Sequence, residues 1–485
     1  MAQLEPPSAG GAIALDQELR MLGHYKRVLM IGAHPDDEDT ELLTVLVRGM
    51  GAEAAYLSLN RGEGGQNLIG PELGEALGLL RTEELLAARR LDGARQYFTR
   101  AYDFGYSKTL DETWQHWPRE EILKDVVRIV RKFRPQIIVS IFSGTPRDGH
   151  GQHQAAGWAA REAFHVAGDS LRFPELAGEG LVPWTPLKFY RSARFDTGST
   201  TLTIEGGVLD RAVGKSFHQI AMAGRSLHRS QDMGQLQQIG PSKVRLSLVE
   251  DRTGSGSGGL FAGIDTSLAA MPLGERRLVS GTASLVGHSD VPAVLRRYQT
   301  RVDSLRAAVP GDNARARQLA ARAARDLEEA VVGTGRGDTV EGGRFYTRGI
   351  EVSDQMAHLN AAAGYLSRVV FDALADDDRV VAGQSLNWML STWNASADPH
   401  QAQISAAQCL TFQACRSPGI TVTHRIEPAQ VETDTVRFGV LDEQPITIPY
   451  FLRSPRNGDM YVWPQQTRNA LLAPVPYGDP FEAPE

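Results

Sequence analysis

Two short stretches carry residue types that could do chemistry together. The first is Ala33-His34-Pro35-Asp36-Asp37-Glu38-Asp39, where the apolar run Val28–Ile31 stops at a histidine, a proline and a block of acids. The second runs from Ser143 to Gln154, follows the apolar stretch Ile137–Phe142, and supplies His150 and His153. Proline after His34 disfavours helical backbone at that histidine and keeps the chain extended until the acids begin. A hydrolytic zinc centre commonly takes three ligands from histidine and carboxylate and leaves a position for water. His34, Asp37 and one of the pair His150/His153 supply that set. Asp36 is then free to act as general base, and the other histidine to stabilise an oxyanion or protonate a leaving amine. Two histidines and a carboxylate also describe a non-haem iron oxygenase, which would leave Asp36 without a task.

These residues need a scaffold, and the chain order predicts one. A helix over Ile13–Gly23 leads to the strand Val28–Ile31, a helix over Glu41–Val47 and a strand over Glu53–Leu59. The pattern continues with helices over Glu72–Leu91 and Glu121–Phe133, strands over Gln96–Phe98 and Gln136–Phe142, and an alanine-rich helix from about Ala155 to Phe164. Strands alternating with helices imply a mostly parallel sheet covered on both faces. Both candidate stretches then leave the carboxyl ends of strands, where open α/β sheets bind ligands. Asn60-Arg61-Gly62-Glu63-Gly64-Gly65-Gln66-Asn67 lacks G-x-G-x-x-G, so a flexible loop beside His34 is expected rather than a dinucleotide cradle.

Beyond Pro183 the pattern loosens. Strands are expected at Lys188–Tyr190, Thr200–Ile204 and Lys243–Val249, and a helix over Lys215–Met233. Val291–Val332 and Asp354–Leu374 are helical in propensity and read as a connector. After Asp376 the apolar period becomes two, at Leu386, Trp388 and Leu390, at Val436, Phe438 and Val440, and at Ile446, Ile448 and Tyr450, which suggests a β-sandwich. The expected division is 1–290 for the catalytic domain, 291–376 for the helical connector and 377–485 for the sandwich-like domain, which is expected to be incomplete because only about five or six strands can be counted.

Composition narrows the function. The chain has 485 residues and 42% hydrophobic and 22% charged residues, as in multidomain globular proteins. With 51 basic against 58 acidic residues and no basic cluster, nucleic-acid binding is not expected. No apolar run is long enough to span a bilayer. The start has no secretion signal, so the chain as written reads as cytoplasmic, or as exported if it is a processed or truncated form. Cys409 and Cys415 cannot make a zinc site alone and are expected to be structural.

Ala33-His34-Pro35-Asp36-Asp37-Glu38 together with His150-Gly151-Gln152-His153 resembles the zinc-dependent N-acetylglucosaminyl deacetylases of the PIG-L, or LmbE-like, superfamily. The resemblance covers roughly residues 25 to 250. It implies a Rossmann-like α/β fold that binds Zn2+, with Fe2+ as an alternative, and removes an N-acetyl group from a small amino sugar or its conjugate. It further implies His34, Asp37 and His153 as metal ligands, Asp36 as general base and His150 as the residue that stabilises the tetrahedral intermediate. Arg81, Asp103 and Glu63 are the implied substrate-binding residues. The family often carries Pro-Asp where this chain has Gly151-Gln152, a departure expected to alter the hydrogen bonding that orients the ligands. A glycan-binding protein with an idle metal centre is a third reading, and the sugar, the acyl group and the oligomeric state are not written in the sequence.

Overall fold

The computed structural model describes residues 10–194, 196–256, 258–270, 291–333, 349–377, 379–405, 415–416, 421–440, 442–443, 448–464 and 477–481. Helix α1 (Gly11–Met21) leads into β1 (Arg27–Gly32), whose six residues are all buried. A strand apolar on both faces belongs in the middle of a covered parallel sheet. Next come α2 (Thr40–Thr44), β2 (Glu53–Ser58), α3 (Glu75–Asp92), β3 (Arg95–Phe98), α4 (Leu110–His116), α5 (Arg119–Phe133), β4 (Ile137–Ser140), α6 (Gly151–Val166) and β5 (Lys188–Ser192). Then follow β6 (Leu202–Glu205), the short ladder of β7 (Leu209–Asp210) with β8 (Lys215–Ser216), α7 (Phe217–Arg225) and β9 (Lys243–Asp251).

The strand order is β3-β2-β1-β4-β5-β9-β6. The first five are mutually parallel, and β9 runs antiparallel to both β5 and β6. This is the mostly parallel α/β sheet that the strand and helix alternation predicted. From β1 the chain winds outward to β3 and then returns to place β4 on the other side of β1. That reversal opens a crevice at the carboxyl ends of β1 and β4. Both candidate stretches leave the sheet there.

Three element expectations change. The helix expected over Lys215–Met233 is capped by Ser216, with Gln219 closing a reciprocal capping box, and ends at Arg225. Beyond it the backbone turns so that His228 can reach a buried acid, a tertiary contact that overrides helix propensity. The helix expected over Asp354–Leu374 is α10 (Gly349–Ser367), and Arg368 ends it with a left-handed φ of 55°. Val369-Val370-Phe371 then start β10 (Val369–Ala375), as β-branched and aromatic residues favour. The helical stretch before it breaks near Pro310 into α8 (Val291–Ala308) and α9 (Asn313–Gly333).

Helix α10 is keyed to the sheet edge opposite the crevice. Asp354 pairs with Arg27, at the start of β1, and at 2.8 Å with Arg95. His358 lies 2.7 Å from Glu18 and 2.8 Å from Glu53. Gln355 accepts from the Gly23 amide and donates to the Met21 carbonyl.

The β region contains β11 (Ser385–Asn394), β12 (His400–Ser405), β13 (Cys415–Arg416), β14 (Thr421–Ile426) and β15 (Val431–Val440). Among the described residues they form an antiparallel sheet, β10-β11-β15-β13, and a separate β12-β14 ladder. Trp388 faces Val436, and Leu386 faces Phe438, so the period-two pattern lies on one sheet face. Ile446 and Cys409 lie outside the described residues. Strand β10 begins on the connector side of the expected boundary at residue 377.

The chain then returns to the α/β sheet. The Phe98 amide donates to the Gly478 carbonyl at 2.8 Å, and Ala101 bridges to Met460. The fully buried guanidinium of Arg61 is sandwiched between the rings of Phe98 and Phe451, 4.1 and 3.6 Å from their centroids.

Candidate active site

The loop after β1 is built to hold acids. Asp39 caps α2 by accepting from the Leu42 amide, as an acid at a helix start should. Glu38 takes no part in that cap. It is fully buried, 2.9 Å from His228 and 3.3 Å from Arg89, and its Oε2 accepts from the Asp36 amide. That bond helps hold Asp36 at φ 103°, a backbone state costly for a side chain with a Cβ and typical of functional loops. Arg225 secures the same turn by donating to the carbonyls of Asp36 and Glu38.

Asp37 is turned inward. Its Oδ2 accepts from the amides of Ala33 and His34 at 3.0 and 2.8 Å and lies 3.3 Å from His34 Nδ1. Its Oδ1 lies 3.5 Å from His153 Nε2. One ligand-type atom from each of His34, Asp37 and His153 falls within 4.8 Å of the others. The second loop brings His153 here because β4 is the neighbour of β1, and because α6 starts at Gly151 with His150 as its N-cap.

Second partners fix the ring nitrogens. The Gly62 amide donates to Asn60 Oδ1, so Asn60 must present its NH2 to Gln152 Oε1, 2.9 Å away. Gln152 Nε2 donates to the Gly105 carbonyl at 2.7 Å, which fixes the same amide orientation from the other side. Gln152 Oε1 therefore accepts from His34 Nε2 at 2.7 Å, and Nδ1 is the nitrogen turned toward Asp37. On His153, Nδ1 donates to the Asp148 carbonyl at 3.2 Å, leaving Nε2 toward the same point. Such outer bonds set tautomer and aim in metal-binding histidines.

Electrostatics agree with a cation at that point. Burial opposes a charged His34 ring, but the Asp37 carboxylate outweighs it and raises the pKa to about 9. Burial also opposes the Asp37 anion, yet His153 and His34 hold its carboxyl well below the usual range. The cluster thus traps a proton on His34 beside an anion, and a divalent cation satisfies the same donor set by displacing that proton. The residues fit a metal ion.

Asp36 stands next to the cluster, 3.3 Å from Arg81 Nη2. Burial raises its pKa to about 6, against the pull of Arg81. His150 is 5.1 Å from His34 and 4.9 Å from His153, centroid to centroid. Its Nδ1 accepts from the Gln152 amide, which leaves Nε2–H free to donate, and burial with His34 and His153 nearby lowers its pKa to about 4.

Arg81, Asp103 and Glu63 are all drawn to the site, but behind it. Each is at most 4% exposed and bonded to protein. Arg81 donates to the carbonyls of Pro35 and Gly62, Asp103 accepts from Gln152 and the Gly105 amide, and Glu63 accepts from Tyr461. Their polar atoms support the two loops that carry His34 and His150. Of the loop 60–67, expected to be flexible, Asn60 to Glu63 are buried, whereas Gly64 and Gln66 are exposed. The Gly151-Gln152 departure has a local cause. The Gly151 amide donates to the Ser107 carbonyl at 2.8 Å, which proline could not do, and a Cβ at 151 would meet the Thr109 carbonyl. Asn60, Glu38, Arg225 and Tyr461 were not singled out from sequence. Gln152 was signalled by the departure from Pro-Asp between the two histidines, and its amide does carry the hydrogen bond that orients His34.

Residues 29–164 match the family model described as PIG-L, GlcNAc-PI de-N-acetylase, and so form a PIG-L family domain. The chain is similar to a 1D-myo-inositol 2-acetamido-2-deoxy-alpha-D-glucopyranoside deacetylase of Thermobispora bispora, 29% identical over 187 residues, covering 35% of this chain and 59% of that one. It is also similar to a diacetylchitobiose deacetylase of Thermococcus kodakarensis, 32% identical over 145 residues, covering 30% of this chain and 51% of the relative. The matched stretch thus spans less than two thirds of these relatives. Among solved structures, an N,N'-diacetylchitobiose deacetylase from Pyrococcus horikoshii aligns with 21% identity over 42% of this chain and 70% of that one, at a TM-score of 0.33. Among the described residues, no helix is long and apolar enough to cross a membrane.

Proposed function

We propose, from a PIG-L domain that gathers His34, Asp37 and His153 beside the Asp36 carboxylate, that the protein is a zinc-dependent hydrolase. In this reading it removes an N-acetyl group from an amino sugar or amino-sugar conjugate. The observation that carries it is Asp36, held at φ 103° next to the cluster and basic enough, near pKa 6, to take a proton at neutral pH. His34, Asp37 and His153 would hold the zinc, which when bound supplies Lewis acidity and a more acidic water.

The chain's own residues account for the proton traffic. Asp36 takes a proton from the attacking water as the water adds to the acetamide carbonyl. His150, neutral at pH 7, donates its Nε2–H to the oxyanion that develops there. Protonated Asp36 then gives its proton to the departing nitrogen, and acetate and a free amine result. Arg81 keeps Asp36 aimed, and in this reading the substrate-binding role of Arg81, Asp103 and Glu63 is to shape the loops that receive the sugar. An iron oxygenase would share the three ligands but would give Asp36 and His150 no function.

Metal analysis of purified protein and acetate release from diacetylchitobiose and from N-acetylglucosaminyl inositol test the proposal. Asp36→Ala is expected to lower kcat by about 10²–10⁴-fold. The wild-type rate should fall as pH drops through the Asp36 pKa, because only the ionised carboxylate accepts the proton. Undiminished turnover by Asp36→Ala overturns the base assignment, and oxygen uptake with iron and a 2-oxo acid would favour the oxygenase.

A further inference from the structure

Tyr461 lies in the segment 448–464, yet its hydroxyl ends within the polar layer behind the candidate site. It donates to Glu63 Oε1 at 2.7 Å. Glu63 Oε2 accepts from the amides of Asp103 at 3.1 Å and Arg61 at 3.2 Å. Asp103 Oδ1 accepts from Gln152 Nε2 at 3.1 Å, and Gln152 Oε1 accepts from His34 Nε2 at 2.7 Å. Exposure along this line is 2% at Tyr461, 2% at Glu63, 4% at Asp103, 0% at Gln152 and 9% at His34. Water is excluded from most of it, so each group depends on the next for its partner.

We propose that Tyr461 is a positioning residue for His34, acting through Glu63, Asp103 and Gln152, so that the returning segment 448–464 completes the catalytic unit. The backbone around Tyr461 is suited to that task. The Tyr461 amide donates to the Arg100 carbonyl at 2.7 Å and the Tyr102 amide donates to the Asp459 carbonyl at 3.0 Å. The segment therefore grips the loop of Asp103 from one side while the hydroxyl fixes Glu63 from the other. Without the hydroxyl, Glu63 Oε1 has lost its donor in a buried place. The carboxylate can then turn away from the Asp103 amide, Asp103 slackens its hold on Gln152, and the His34 ring is free to rotate.

Tyr461→Phe is the test, because it keeps the ring packed against Tyr102 and Phe451, 5.8 and 5.4 Å away between centroids. In metal-free full-length protein labelled with ¹⁵N-histidine, the His34 Nε2–H signal is assigned by its loss in His34→Gln. It is expected to exchange with solvent at least about tenfold faster in Tyr461→Phe, while the ring protons of His358 at the opposite sheet edge keep their rate. Zn2+ affinity, measured by chelator competition, is expected to fall about three- to tenfold, and less than additively with Gln152→Ala. That second arm rests on the metal reading above. Wild-type protein that takes up no zinc would refute that reading and leave the exchange arm to decide this one. Unchanged His34 exchange in Tyr461→Phe, or acceleration equal at His34 and His358, overturns the proposal. Should Tyr461→Phe fail to fold, Glu63→Ala, which removes the carboxylate that links the Tyr461 hydroxyl to the Asp103 amide, must give the same selective acceleration.

Discussion

At the scale of single residues, the candidate site is decided less by the side chains that meet there than by what stands behind them. Gln152 makes the point: a neutral amide with two acceptor bonds and two donor bonds, fully buried, sets the ring of His34. Gln152→Glu replaces its NH2 by an acceptor facing the Asp103 carboxylate and the Gly105 carbonyl. We expect a loss of about 2–4 kcal/mol in unfolding free energy, measured in urea, because buried acceptors would then oppose each other. His34, Asp36, Asp37, His150 and His153 were legible because histidines and acids after apolar strands are few and chemically suggestive. Arg81, Asp103 and Glu63 were legible as members of the neighbourhood, but their direction was not. Whether a charged side chain faces a ligand or supports a loop depends on partners hundreds of residues away, as Tyr461 is for Glu63.

At the scale of elements, sequence order gave the strands and helices of the α/β sheet because buried parallel strands announce themselves as short apolar runs. It failed at the end of α7, where a tertiary contact outbid local preference, and at the transition from α10 to β10, where a left-handed Arg368 and a run of β-branched and aromatic residues end the helix early. The attachment of α10 has a pH signature. Burial disfavours a charged His358, but Glu18 and Glu53 outweigh it and raise its pKa from 6.5 to about 9. A raised folded-state pKa means the contribution is complete below about 6.5 and fades as pH rises through about 9. It amounts to about 3 kcal/mol at most. The gap in urea midpoint between wild type and His358→Gln should therefore narrow steadily from pH 6.5 to pH 9. A constant gap would show that the imidazolium contributes nothing.

At the scale of the whole molecule, the chain is not a row of independent units. The far segments around 450, 461 and 478 lie on the same α/β sheet that begins the fold, an arrangement no local pattern could reveal. Arg61 between Phe98 and Phe451 is the anchor of that return. Phe451→Ala removes one face of a desolvated cation–π sandwich and leaves a cavity, and should cost about 3 kcal/mol. Limited proteolysis is the measurement: cleavage within 448–464 should appear in Phe451→Ala under conditions that leave the wild type intact.

The bond between Tyr461 and Glu63 spans 398 positions. During synthesis, β1 to β5 can fold and gather every histidine and acid of the site long before the ribosome reaches residue 461. Catalytic competence would then arrive late, as a property of the finished chain rather than of its folded first half. Refolding should likewise show fluorescence of the buried core recovering before turnover does, with the lag set by closure of that long loop.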